Sequence, residues 1–413
     1  MKKAFALLLA ATLLATMFVG CTNNEPAPAT STSQTESSTA TETTTAAPEK
    51  AATETREETT AEDYHFAMIA PLTGNNAQYG LAYKKAIELL VDQVNNNGGI
   101  NGGKVVVDYY DDKNDATEAV TIANNVIEQE DILGCVGSQT STPSMAIAPL
   151  FQKSGIPLVS PNASHTDFAA IGDYIFRTTY MTSDSSAAIG DNTYDLLNDQ
   201  LGGVKAGIIY MQTDWGLAFN EYFTKELTAR GGEVLVAEPY VVEQTNDFTP
   251  LLTKIKNAGC NTVVLGTNYN EGGQIVKQAK NLNMDVKFIA STMLYKQEFI
   301  DLVGADGEGI YVMTMFNKNN SSETYQNMKA AYIEKYGSDD DIDEYITKAY
   351  DAMKLLIDGA AAAGHDRAGI RDFIAGIQNW EGATNTISMD DEGNPSGPVY
   401  STVIKDGKFE FID

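Results

Sequence analysis

The chain has 413 residues, 43% of them hydrophobic, with 56 acidic against 28 basic side chains and a formal net charge of −28. That balance argues against nucleic acid, whose phosphates need neutralising by Lys and Arg, and against direct adhesion to anionic lipid. It fits a highly soluble chain, long enough for two hydrophobic cores.

The first element is not part of a fold. Lys2 and Lys3 precede an apolar run from Ala4 to Phe18, and small residues lead to Cys21. A basic start and a short apolar segment read as an export signal over residues 1–20, too short to span a bilayer comfortably. The ending Phe18-Val19-Gly20-Cys21 resembles a bacterial lipobox, which implies lipidation of Cys21 and an extracytoplasmic protein held at the outer face of the cell membrane. Residues 21–63 form an acidic Thr/Ser-rich stretch that cannot bury enough apolar surface to offset the entropy of ordering, and they read as a disordered tether.

From residue 64 the pattern alternates strand and helix. Strands are expected at 66–70, 104–110, 132–137, 157–160, 204–210, 234–240, 262–265 and 287–290. Helices are expected at 82–94, 116–130, 144–153, 216–230, 248–258 and 272–282. This rhythm implies an α/β fold with parallel sheets flanked by helices. Ligands in such sheets sit beyond the carboxyl ends of the strands, so the loops entering the helices are where function is expected.

Catalytic and metal-binding constellations are not apparent. The chain has no nucleophile elbow, phosphate-binding loop or dinucleotide fingerprint, and its three His show no metal-ligand spacing. Asp339, Asp341 and Asp343 have the spacing of a calcium loop, but Glu344 stands where Gly is needed and Tyr350 where Glu is needed, so a solvated acidic turn is expected. Neither a metal nor a cofactor is implied, and the chain does not read as an enzyme. Cys135 and Cys260 lie in or beside apolar runs and read as buried, unpaired side chains.

The loops after the strands are rich in hydroxyls and aromatics: Pro71 to Gly80, Gly137 to Thr142 and Pro161 to Ser164. Hydroxyls and free N–H groups at helix starts suit an anion such as a carboxylate. Taken in order, several landmarks resemble the solute-binding proteins of ABC importers for branched-chain amino acids and related amino acids and amides. They are Pro71-Leu-Thr-Gly with Gln78-Tyr79-Gly80; Asn96-Asn-Gly-Gly-Ile-Asn-Gly-Gly; Tyr110-Asp-Asp; Gly137-Ser with Ser141; Gly155-Ile-Pro; Phe176-Arg-Thr; Asp214-Trp-Gly; Thr267-Asn-Tyr269-Asn-Glu-Gly-Gly-Gln; Tyr336-Gly; and Ala349-Tyr-Asp-Ala.

The resemblance implies a type I periplasmic binding protein fold. It has two Rossmann-like lobes, residues 64–180 with 316–388 and residues 181–315 with 389–413, joined by three hinge crossings near Thr178, Thr314 and Met389. It also implies site roles. Ser141 and Thr142 would hold a ligand carboxylate, and the Ala163 carbonyl and Ser164 hydroxyl would hold the α-ammonium and the carboxylate. Tyr79 would wall the side-chain pocket, and Tyr269 and Trp215 would close from the second lobe. The family's acidic partner for the ligand ammonium is replaced here by Thr292, with Glu271 a possible substitute. The implied partners are a small amino-acid-like solute and an importer permease, with the protein a monomer. A sensing module for amides or desamino carboxylates is the alternative, and an extracellular amidase the third reading.

Overall fold

The structure, a computed structural model, describes residues 61–183 and 193–412; the signal, Cys21 and the tether up to residue 60 lie outside the described residues. Two sheets organise the chain. The first has five parallel strands in the order β2-β1-β3-β4-β5: β1 Tyr64–Ala70, β2 Val105–Asp111, β3 Ile132–Gly137, β4 Leu158–Ser160 and β5 Ile175–Arg177. Side chains alternate along β1. Phe66, Met68 and Ala70 face one apolar cluster, and Ala67 and Ile69 face another, as a strand buried on both faces requires.

Helices cover both faces. On one side lie α2 Ala116–Ile127 and α3 Ser141–Ser154, whose Ala119, Ala123, Ile147 and Phe151 pack with Ala67 and Ile69. On the other side α1 Ala77–Asn96 packs against a helix from far along the chain, Glu344–Ala363, which also contacts β3 and β4.

The second sheet is built from β6 Lys205–Met211, β7 Glu233–Tyr240, β8 Thr262–Gly266, β9 Lys287–Ala290 and β10 Tyr311–Thr314, all parallel. Its helices include α4 Asp195–Leu201, α5 Asp214–Ala229, α6 Thr249–Asn257, α7 Tyr269–Asn281 and α8 Gln297–Val303. The chain then gives α9 Glu323–Tyr336, α10 Glu344–Ala363 and α11 Arg367–Ala375. A small three-stranded antiparallel sheet follows, formed by β11 Trp380–Glu381, β12 Thr386–Met389 and β13 Pro395–Ser396. The last two strands, β14 Tyr400–Lys405 and β15 Lys408–Phe411, return to the second sheet, β14 antiparallel to β10 and β15 antiparallel to β14. The parallel sheets flanked by helices expected from the sequence are present, and this antiparallel pair, joined by a tight turn at Asp406-Gly407, adds an edge to the second one.

Two glycines repeat one device in the two sheets. A Cβ on Gly80 would meet the Pro71 carbonyl oxygen at 2.0 Å, and one on Gly216 would meet the Met211 oxygen at 2.0 Å. In each case the first turn of the helix presses back on the end of the preceding strand, which only glycine allows. The residues just before them, Tyr79 and Trp215, are thereby held at the strand ends. The helices α1 and α5 begin at Ala77 and Asp214, earlier than the apolar spacing indicates, because these first turns are polar and glycine-bearing.

Cys135, in β3, and Cys260, before β8, are free and buried. The acidic turn is spent on structure: Asp343 accepts from the backbone N–H groups of Tyr345 and Ile346 as the cap of α10, Asp341 pairs with Lys85, and Asp339 pairs with Lys329.

Candidate ligand cleft

A cavity of about 150 Å³ opens where the carboxyl ends of the two sheets face each other. Four helix starts converge on it: Asn76 before α1, Thr140, Ser141 and Thr142 at α3, Thr213 and Trp215 at α5, and Asn268 before α7. Asn114, Gln139, Asn162, Met211, Val242 and Met293 complete its wall. A smaller adjoining space shares Asn162, Trp215 and Met293 and adds Ser164, Thr179, Thr182, Phe219, Ser291, Thr292 and Met315. Among the described residues neither wall contains an ionisable side chain. The field inside comes instead from helix dipoles and hydroxyls, and the N-terminal ends of four helices favour negative charge.

The hydrogen-bonding state of the wall defines what each group can offer. The Ser141 hydroxyl accepts from the His165 backbone N–H at 3.3 Å, which leaves its own proton for a further acceptor. The Thr140 hydroxyl donates to Asn114 Oδ1 at 2.5 Å, and Thr213 Oγ1 caps α5 by accepting from Gly216 N at 3.2 Å. Thr142 donates to Asp214 Oδ2 at 2.9 Å, joining the start of α3 to the start of α5.

Of the residues singled out in the sequence, Ser141, Thr142 and Trp215 line the main cavity, and Ser164, Thr292 and again Trp215 line the smaller one. The remaining four line neither. Ala163 is fully buried, and its carbonyl accepts from the Arg177 guanidinium at 3.1 Å, so a cation already occupies that oxygen. Tyr79 is fully buried, packed on Tyr345 with ring centroids 4.7 Å apart and edge-on to Tyr269 at 6.1 Å. Burial pushes its phenol well above the usual range. Tyr269 is partly buried beside it. Glu271, in the first turn of α7, is buried with Oε2 unpartnered among the described residues, and burial raises its carboxyl.

Behind the smaller space lies a buried charge pair. Lys348 Nζ is 3.4 Å from Glu344 Oε1, 3.2 Å from Thr179 Oγ1 and 3.3 Å from Asn162 Oδ1. Burial lowers the Lys348 ammonium and raises the Glu344 carboxyl. The same helix bonds the segments that follow β5 and β10. Thr178 Oγ1 donates to the Lys348 carbonyl at 2.9 Å, Met315 N donates to Glu344 Oε2 at 3.1 Å, and Thr179 lies 3.3 Å from Met315 Sδ.

Sequence reasoning found the loops but not all their contents. Asn76, Gln139, Thr140 and Asn162 lie inside the loops already marked, whereas Asn114, Met211, Val242 and Met293 gave no local signal. Their only advance sign is position just past a strand end.

The periplasmic binding protein family matches residues 63–408. The chain is 26% identical over 341 residues to "Leu/Ile/Val-binding protein homolog 3" of Brucella melitensis biotype 1, covering 82% of this chain and 90% of that protein. Among solved structures, the branched-chain amino acid transporter substrate binding protein LivJ of Streptococcus pneumoniae, in complex with isoleucine, is 26% identical with a TM-score of 0.76, covering 85% of this chain and 99% of that one. The leucine binding protein LivK of Thermotoga maritima shares the fold with a TM-score of 0.77 at 23% identity, covering 84% of this chain and 97% of that one. An α/β architecture of two facing sheets, a cleft at their carboxyl ends and a family match across almost every described residue lead to one assignment: the chain belongs to the periplasmic binding protein family.

Proposed function

We propose that this protein captures a small, carboxylate-bearing, amino-acid-like solute between its two sheets and hands it to the permease of an ABC importer. The observation that carries this reading is the convergence of four helix starts and the Ser141 and Thr142 hydroxyls on a cavity without an ionisable wall. Such a site holds an anion by dipoles and hydrogen bonds while an apolar face of Met211, Trp215, Val242 and Met293 takes the rest of the solute. The names of the relatives, a Leu/Ile/Val-binding protein homologue and a substrate binding protein in complex with isoleucine, point to the same solute class.

In this reading residues 64–180 with 316–388 form one lobe and residues 181–315 with 389–413 the other. The packing of α10 on β3 and β4, and the return of β14 and β15 to the second sheet, support that division. The crossings near Thr178 and Thr314, held together by Lys348 and Glu344, with a third near Met389, then act as hinges. Ser141 and Thr142 hold the carboxylate; for Thr142 this requires release of, or sharing with, Asp214. Ser164 and Thr292 face the solute from the smaller space, Trp215 packs on it, and Tyr79 and Tyr269 support the wall from behind. The Ala163 carbonyl, facing Arg177, is a poor partner for an ammonium, and Glu271 stands behind the wall.

Lipidation of Cys21, with the Thr/Ser-rich stretch as tether, would keep a monomeric protein beside its permease at the outer face of the membrane. The neutral wall equally admits a desamino carboxylate or amide, which keeps a sensing module of the same fold as the second reading. Calorimetry with the solutes retained through gentle purification tests the proposal. Stoichiometric binding without turnover supports it, and consumption of the solute would instead indicate an amidase-like enzyme.

A further inference from the structure

Asn162 stands in the wall that the main cavity shares with the smaller space. Its loop is pinned on both sides. Ser160 Oγ donates to the Ser138 carbonyl at 2.8 Å and accepts from Ala163 N at 3.0 Å, and the Ser164 carbonyl accepts from Thr182 N at 2.7 Å. The side-chain oxygen is committed as well, since Asn162 Oδ1 accepts from Lys348 Nζ at 3.3 Å. An ammonium has donors only, so the amide oxygen must face Lys348 and the amide nitrogen must turn away from it. Asn162 Nδ2 has no hydrogen-bond partner among the described residues, yet it is not shut off from solvent. It stands as an open donor where the two spaces meet.

Lys348 has the means to hold that orientation. Its side chain is 1% exposed, and its three N–H donors are met by three oxygens: Thr179 Oγ1 at 3.2 Å, Asn162 Oδ1 at 3.3 Å and Glu344 Oε1 at 3.4 Å. A flipped amide would set Nδ2 against the ammonium and leave a buried cation one acceptor short. The direction of the carboxamide is therefore fixed from behind the wall before any solute arrives.

We propose that Asn162 is a specificity-determining residue that donates through Nδ2 to an oxygen of the solute, and that Lys348 is the positioning residue that keeps this donor turned to the cleft. This rests on the reading of the cleft as a carboxylate site. A donor at this point suits a carboxylate oxygen and opposes an ammonium, so any α-amino group of the solute lies away from Asn162. The Ser141 hydroxyl offers a second donor in the same cavity.

The test is calorimetry with leucine and its desamino analogue 4-methylvalerate. The proteins are the wild type, Asn162→Ala, Asn162→Asp, Lys348→Met, the double variant Asn162→Ala with Lys348→Met, and Ser141→Ala. Asn162→Asp keeps an oxygen for Lys348 and replaces the donor by an acceptor, and it is expected to weaken both probes roughly tenfold or more. Lys348→Met is expected to weaken both probes and to remove the cost of Asn162→Ala, because the amide is then no longer held. Costs that multiply in the double variant would make Lys348 merely structural and overturn its role. Should Lys348→Met melt early in circular dichroism, Lys348→Met combined with Glu344→Gln, which leaves no buried carboxylate unpaired, takes its place in the same comparison. Tighter binding of leucine by Asn162→Asp would put an ammonium at Asn162 and overturn the inference. Unchanged affinities in both Asn162 variants overturn it too, and if Ser141→Ala still weakens binding, the cleft assignment survives without it. If the wild type binds neither probe, the carboxylate reading of the cleft falls and this inference with it.

Discussion

Lys296 forms a salt bridge with Asp343, and its ammonium lies 4.8 Å from the ring centroid of Tyr345 and 5.3 Å from that of Tyr79. Lys296 precedes α8 beside the second sheet, whereas Asp343 caps α10 and Tyr79 lies on α1, both against the first. The contact therefore ties the two halves at the side of the cleft. Burial works against the ammonium, but Asp343 and Glu298 outweigh it and raise Lys296 above its ordinary value.

Removing this cation exposes how much of the clasp is electrostatic. Lys296→Met should lower stability by roughly 1–3 kcal/mol in chemical denaturation, less than for a fully buried pair because Asp343 keeps two backbone N–H donors. The same variant should expand in small-angle scattering without ligand. Unchanged stability and dimensions would show that packing of the tyrosines alone holds the halves together.

In the proposed reading Thr292 takes the place of an acid that would pair a ligand ammonium, and among the described residues no charged side chain lines the wall beside it. Discrimination between an amino acid and its desamino analogue should therefore stay below roughly 100-fold, about 2.7 kcal/mol. Thr292→Asp should increase it. Calorimetry on matched pairs checks both. A larger wild-type preference that is lost in Glu271→Gln would show that Glu271 reaches the ligand.

Asp351 is buried on α10 and accepts from the backbone N–H groups of Ala383 and Thr384, yet burial carries its carboxyl up to about 6. With the folded value above the unfolded one, near 3.9, the native state holds this proton more tightly. The stability it contributes is present below about pH 4 and is lost as the pH rises through about 6. A carboxyl-carbon NMR titration should place the Asp351 midpoint near 6; a midpoint near the ordinary value would mean that the two N–H donors offset the burial.

The anchor has its own test. If Cys21 is lipidated as proposed, Cys21→Ala should move the protein from washed membranes into the medium with solute affinity unchanged, since lipid chains would then supply the attachment. Retention of the variant in membranes would assign anchoring to the apolar segment before it.

Much of the fold was readable because parallel strands buried on two faces leave unbroken apolar runs, as Ile132 to Gly137 does. The short strand Ile175–Arg177 and the antiparallel pair β14 and β15 were not, because two- to six-residue strands carry little periodicity. In the cleft, Ser141 and Thr142 were legible from helix-start chemistry, whereas Trp215 was marked only by the resemblance. Tyr79 was placed one layer too far forward: an aromatic before a close-packed glycine reads the same in sequence whether it faces solvent or a second aromatic. Met293 and Val242 were invisible, because a side chain lining a cleft from across the chain differs in no local way from a core one.

The central claim is that a carboxylate-bearing solute sits at the start of α3. Identifying by mass spectrometry the small molecule that copurifies, then titrating it into wild type and Ser141→Ala, tests this most directly. The account predicts a carboxylate bound one to one, weakened roughly tenfold or more by loss of the Ser141 hydroxyl, with the melting temperature of the free protein unchanged. A retained solute without a carboxylate, or equal binding by Ser141→Ala, would contradict it.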